Sequence, residues 1–273
     1  MNTAQRARGL RWFEALTGGD GLIDGPRSVR AGDAPVGDEL ARCIAVVPDP
    51  ANRFARARGG EVGLDEGWAL AREVRRTMAQ AQVGAQRALI AVVDVSSQAY
   101  GRSEELLGIH LACAAAADAY ASARLAGHPV VALLVGKAMS GAFLAHGYQA
   151  NRILALDDPG VLVHAMSKLA AARVTRRSLE ALEELTARVT PMAYDVRSFA
   201  RLGLVDELIG GVNADAPAAA DLQCVRTALA RAIAAARRAP LDLSQRLGSA
   251  AARELRAASI EVRRRLAEEW DES

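Results

Sequence analysis

Residues 88–95, Ala-Leu-Ile-Ala-Val-Val-Asp-Val, form a continuous apolar run rich in β-branched side chains. They lack the period-two alternation of a half-exposed strand, as expected for a strand covered on both faces. Residues 130–135 repeat the pattern, and shorter runs at 43–47, 152–156 and 161–164 predict further strands. Between them, apolar positions recur at helical spacing. A helix is predicted over 65–80, with Asp65 and Glu66 at its start, where the helix dipole favours negative charge. A second, over 103–125, opens at Ser103-Glu104-Glu105 and is broken by Gly127-His128-Pro129. Others are predicted at 143–148, 168–173 and 178–189. Strands alternating with helices imply βαβ units and a largely parallel sheet, an α/β fold.

The two ends read differently. Residues 1–40 are rich in Gly, Asp and Pro and predict an N-terminal arm with a short helix at 10–16. Residues 49–63 read as a loop in which Arg53, Arg56 and Arg58 lie close together. The alternating pattern occupies 41–212. Residues 213–217 read as a linker, and 213–273 as a helical C-terminal region with helices over 218–238 and 242–269. Arg253, Arg256, Arg263, Arg264 and Arg265 on the last helix form either a solvated face or a docking surface for an acidic or phosphate-bearing partner.

Composition narrows the function. Of 273 residues, 51% are hydrophobic and 24% charged, enough for a sizeable core. Thirty-four basic residues against 32 acidic ones leave a net charge of +2, which argues against a nucleic-acid partner. No run reaches the roughly 18 apolar residues of a membrane span, and the first residues carry no apolar leader, so a cytoplasmic protein with no membrane partner is expected. Cys43, Cys113 and Cys224 form no CxxC pair, and His110, His128, His146 and His164 are too widely spaced for a metal motif. No metal is expected.

Two turns, 96–101 and 136–142, each follow a buried strand and precede a helix. Such turns present backbone N–H groups without intrahelical partners, and two facing one crevice could converge on a developing oxyanion. Ala138, Gly141 and Ala142 would let a ligand approach the backbone closely. On pattern alone, both could equally be ordinary strand-to-helix connections. Gly136-Lys137 is not a phosphate-binding loop, because the preceding Gly is absent and Ala138 replaces Ser or Thr. Ala138-Met139-Ser140-Gly141-Ala142 does mimic a relaxed nucleophile elbow, with His164 as a conceivable base.

Several segments resemble known families. Residues 200–207, Ala-Arg-Leu-Gly-Leu-Val-Asp-Glu, resemble a crotonase-superfamily segment. Asp94 to Gly101, followed by Ser103-Glu104-Glu105, is similar to a carboxyltransferase turn with its acidic helix start, and 129–147 is similar to the next carboxyltransferase segment. More specifically, 94–102, 136–143, 146–152 and 157–160 resemble the gamma subunit family of biotin-independent malonate decarboxylase. Ser96 stands where that family is expected to carry Pro.

The resemblance implies a crotonase-like (ClpP/crotonase) spiral of ββα units. It also implies a partnership with a carboxyltransferase-like beta subunit and an acyl carrier protein subunit. The pair would decarboxylate a malonyl thioester to an acetyl thioester and CO2. The acyl group would ride on a phosphoribosyl-dephospho-CoA arm, with no biotin and no cofactor held tightly by this chain. The implied catalytic donors are Gly141 and Ala142, with Ala99, Tyr100 or Gly101 on the neighbouring turn. Met139, Ser140, Phe143 and His146 are the substrate-binding candidates, and Tyr100 and His146 the conceivable proton donors. Two other readings stand beside this one: a Clp-type serine peptidase using Ser140 and His164, and a non-catalytic scaffold for a sibling enzyme.

Overall fold

Each buried run read from the sequence is a strand in the computed structural model, which describes residues 8–81 and 86–271. The strands are β1 (Val29–Val36), β2 (Glu39–Val46), β3 (Leu89–Val95), β4 (Val130–Met139), β5 (Arg152–Leu156), β6 (Leu162–His164) and β7 (Glu207–Ile209). The helices are α1 (Arg8–Thr17), α2 (Leu64–Ala79), α3 (Arg102–Leu106), α4 (Ile109–Leu125), α5 (Ser140–Ala145), α6 (Lys168–Thr175), α7 (Leu179–Arg188), α8 (Val196–Arg201), α9 (Ala219–Arg238), α10 (Ala250–Leu255) and α11 (Ala257–Asp271).

Among these residues the sheet runs β1-β2-β3-β4-β5-β7, with β6 added to β4. β1 and β2 are antiparallel, joined at Gly37 (φ +59°) by the two-residue turn that such a glycine favours. The other pairings are parallel. β4 changes partner along its length, pairing with β5 through Val131–Leu134 and with β6 through Lys137–Met139. The switch falls at Gly136, where a Cβ would stand 2.1 Å from a carboxylate oxygen of Asp94, so no larger residue fits. The register of β3 on β4 shifts at the same level, between Val93 and Val95. The strand ends therefore turn away from the main sheet where the two candidate turns begin.

The N-terminal segment is not the arm its composition predicts. Trp12, Phe13 and Leu16 of α1 are fully buried, the Trp12 indole N–H donates to the Ala214 carbonyl at 2.9 Å, and β1 forms the sheet edge. Turn-forming residues between α1 and β1 masked two core elements. The helix predicted over 103–125 is split into α3 and α4 at Gly108 (φ +84°). The helix predicted at 143–148 starts earlier, at Ser140. The one predicted over 242–269 is broken into a short 3-10 turn, α10 and α11. α9 joins the main core: Val225, Ala228, Leu229, Ala232, Ile233 and Ala236 are a buried stripe at helical spacing.

Candidate active site

The carboxyl ends of β3 and β4 deliver the two turns to one place. The backbone of the 96–101 turn is pinned by Val62, whose N–H donates to Ser97 O (3.1 Å) and whose carbonyl accepts from Ala99 N (2.8 Å). With the backbone held, the Gln98 side chain reaches across, and its Oε1 accepts a hydrogen bond from Gly141 N at 3.0 Å. Gly141 follows Ser140, a non-glycine residue at φ +59°, where β4 turns into α5. That left-handed conformation is strained for serine and swings the Gly141 N–H towards the neighbouring turn.

The Gln98–Gly141 hydrogen bond links the linings of two cavities, Gln98 lining one and Gly141 the other. A polar one of about 870 Å³ is lined by Arg56, Arg58, Glu61, Gln98, Tyr100 and Lys137, among others. Arg56 and Lys137 have no ion-pair partner among the described residues, whereas Arg58 Nε donates to the Asn52 carbonyl at 2.9 Å. Asp94 also lines this cavity. Its two oxygens accept from Lys137 N (3.0 Å) and Gly9 N (3.2 Å), while burial pushes its carboxyl above the usual range. The second is an apolar cavity of about 390 Å³, lined by Ser140, Gly141, Phe143, Tyr148, His164 and Phe199 among others. Phe143 meets Tyr148 and Phe199 edge-on, at ring separations of 5.3 and 6.4 Å.

The structure brings most of the candidate residues to this junction. Gly141, Ser140 and Phe143 line the apolar side, and Tyr100, half exposed, lines the polar side. Gly101 precedes α3, hard against Arg56 and Glu104. Ala142 is fully buried at the third position of α5, where a helix leaves its N–H without an intrahelical partner. Ala99 lines the polar cavity, but its N–H is held by the Val62 carbonyl in the backbone pairing that fixes the turn, so it is not available as a donor. Two candidates fall elsewhere. Met139 is buried as the last residue of β4 and lines neither cavity. His146 is fully buried, with Nδ1 facing the Tyr120 hydroxyl and Nε2 the Val92 carbonyl, both at 3.1 Å. Burial lowers its pKa to about 4, so it is a neutral core residue and not a substrate contact.

The nucleophile-elbow geometry is incomplete. Met139 lies opposite His164 in the β4–β6 register, and Ser140 and His164 share a cavity, yet no hydrogen bond joins them among the described residues. The His164 Nδ1 is instead held at 2.9 Å from the Met166 carbonyl, and its ring stacks on Tyr194 at 3.9 Å. Among the described residues no cluster of His, Cys, Asp or Glu is arranged to hold a metal ion.

Sequence reading missed Gln98, because a neutral side chain inside a turn carries no pattern of its own. The crowding of Arg56 and Arg58 in one loop was the visible trace of the polar cavity.

The family model for the malonate decarboxylase gamma subunit matches residues 57–270. A curated relative, the malonyl-S-ACP:biotin-protein carboxyltransferase of Malonomonas rubra, is 36% identical over 194 residues, which cover 69% of this chain and 66% of that protein, just under two thirds. One chain of a Pseudomonas malonate decarboxylase hetero-tetramer in complex with coenzyme A superposes with a TM-score of 0.91 at 56% identity, covering 96% of this chain and 99% of that one. A chain of the Pseudomonas MdcD-MdcE hetero-dimer gives 0.88 at 55% identity, covering 97% and 100%. The transcarboxylase 12S core shares the fold at 20% identity and a TM-score of 0.64, over 86% of this chain and 42% of that one. The α/β architecture, with its parallel sheet and helical C-terminal region, is thus the crotonase-like fold of the carboxyltransferases. The chain belongs to the malonate decarboxylase gamma-subunit family.

Proposed function

We propose that this chain works with a carboxyltransferase-like beta subunit to decarboxylate a malonyl thioester carried on an acyl carrier protein, giving an acetyl thioester and CO2. The observation that supports this reading is the Gln98–Gly141 contact: an amide carbonyl oxygen accepts the backbone N–H that this reading gives to the thioester oxygen.

Loss of CO2 leaves an enolate, with negative charge on the former thioester oxygen. A fixed backbone donor aimed at that oxygen favours the transition state over the ground state, and one such donor is worth about 3–4 kcal/mol. Gly141 N–H is that donor in this reading, Ala142 N–H stands beside it, and Tyr100 or Gly101 on the neighbouring turn is the second source. The thioester oxygen displaces the Gln98 amide oxygen as substrate enters. The acyl end then lies against Phe143 and the apolar cavity. Ser140 acts through its backbone, by turning Gly141 into position.

A cation clamped on the departing carboxylate would stabilise the ground state as well and gain little rate. Lys137, Arg56 and Arg58 instead suit the phosphates of a carrier arm of the phosphoribosyl-dephospho-CoA type, and the coenzyme A complex of the Pseudomonas relative fits that chemistry. Proton delivery to the enolate carbon falls to Tyr100 or water, because His146 is sealed in the core. The reaction as proposed uses no biotin, unlike the carboxyl transfer named for the Malonomonas relative.

The test is reconstitution. Chain, beta subunit and malonyl-loaded carrier are mixed, and CO2 release is followed with and without avidin. Turnover needing both subunits and unaffected by avidin supports the reading. Turnover that appears only with an added biotinyl protein and is blocked by avidin would mean that the carboxyl group passes to biotin. Full activity of the Gly141→Val complex would make this chain a scaffold.

A further inference from the structure

Arg8, in the first turn of α1, is buried beside the polar cavity and contributes to its lining. Its Nε and Nη2 donate to the two oxygens of Asp215 at 2.7 and 2.9 Å, and its Nη1 donates to Asp158 Oδ1 at 2.7 Å. Three segments distant in sequence therefore meet on one guanidinium: α1, the turn after β5, and the linker leading to α9. The turn after β5 lies flush against it. A Cβ on Gly160 would stand 2.6 Å from Nη1, and Asp158 Oδ1 also accepts from Gly160 N at 2.7 Å. One residue on, the Gly9 N–H holds Asp94, whose other oxygen holds the Lys137 N–H. Pro159, Gly160 and Lys137 all line the polar cavity. The start of α1 thus anchors two of its walls at once.

We propose that Arg8 is a positioning residue for thioester binding, setting the Pro159-Gly160 wall and the Lys137 turn at the spacing that receives the phosphate-bearing thiol arm. This rests on the assignment of the polar cavity to that arm. A guanidinium suits the task because its planar fork can serve Asp215 with two parallel bonds while a third donor holds Asp158. Lysine keeps the charge and loses the fork.

The experiment measures kcat and KM for the malonyl-loaded carrier in the assembled complex, together with its melting temperature. Arg8→Lys is expected to raise KM about tenfold while kcat stays within about twofold, the signature of weakened binding with intact chemistry. Asp158→Asn, which keeps the turn and removes its charge, is expected to shift KM in the same direction and serves if Arg8→Lys fails to assemble. Arg42→Met is the control. It removes an ion pair with the buried Glu73, away from the cavity lining, and is expected to lower the melting temperature while leaving KM unchanged. A lowered melting temperature with unchanged KM for Arg8→Lys and Asp158→Asn would overturn the proposal. Lys137→Gln separates the two levels. If it raises KM while the Arg8 and Asp158 variants do not, Arg8 is structural only and the cavity assignment stands. If none of the three raises KM, the cavity assignment falls and the proposal falls with it.

Discussion

The side-chain oxygen of Gln98 and the backbone N–H of Gly141 are joined by a 3.0 Å hydrogen bond that spans the gap between the two strand-to-helix turns. The contact links a residue lining the polar cavity to one lining the apolar cavity and keeps the proposed oxyanion donor satisfied in the free chain. Substrate must therefore exchange one carbonyl for another, which costs little, because the donor is never left bare.

That exchange makes Gln98 a competitor of the substrate. An ordinary hydrogen bond contributes a net of about 0.5–1.5 kcal/mol. Gln98→Ala is expected to lower KM by a factor of about two to ten, with kcat nearly unchanged. Gln98→Glu places a charged acceptor on the same N–H and next to the developing enolate, so kcat/KM is expected to fall. Steady-state kinetics of both variants checks the pair of outcomes. A raised KM for Gln98→Ala would mean that the side chain helps to hold substrate.

Gly141 offers a graded test of the donor. A Cβ there would lie 3.2 Å from Gln98 Oε1, a contact that the flexible amide can relieve. Gly141→Ala is expected to assemble normally and lose part of its turnover. Gly141→Val fills the space the oxyanion needs and is expected to lower kcat by about 10²–10³-fold, the effect of losing one donor. Native mass spectrometry of the complex alongside the assay separates lost chemistry from lost assembly.

Ser140 carries strain that glycine would not. Ser140→Gly is expected to raise stability by about 1 kcal/mol, because glycine adopts a positive φ without the Cβ penalty. Ser140→Ala keeps the penalty and is expected to retain decarboxylation. Thermal melts read the first effect. Labelling of Ser140 by a fluorophosphonate, together with loss of activity in the alanine variant, would revive the peptidase reading.

His146 should govern stability without governing catalysis. Burial lowers its folded pKa to about 4, below the ordinary histidine value of 6.5, so the unfolded chain binds a proton more readily. Its stabilising contribution is complete above pH 6.5 and is lost as the pH falls towards 4, at up to roughly 1.4 kcal/mol per unit. Denaturant melts of wild type and His146→Gln between pH 7 and 4 should show a shallower pH slope for the variant. The pH profile of kcat/KM should be the same for both, and a shift in that profile would return His146 to the site.

Much of this protein is legible in its residues. The unbroken apolar runs at 88–93 and 130–135 determine two central strands, because a segment with no polar face must be covered on both sides. The small residues of 136–142 mark where backbone could meet a ligand, and the local resemblance in 94–102 and 136–143 points to the family. Tertiary structure decided the rest. Residues 29–36, broken by Gly, Asp and Pro, become a strand because β2 offers an unpaired edge. His146 leaves the site because, at the end of α5, its ring lies in the core against the Tyr120 hydroxyl and the Val92 carbonyl. Gln98 enters the site, and Arg8 joins three distant segments, through contacts spanning 43, 150 and 207 residues. Hydrophobic periodicity reports which face of an element is covered. It does not report which polar side chains meet once the elements are packed, and the chemistry of this site resides in those meetings.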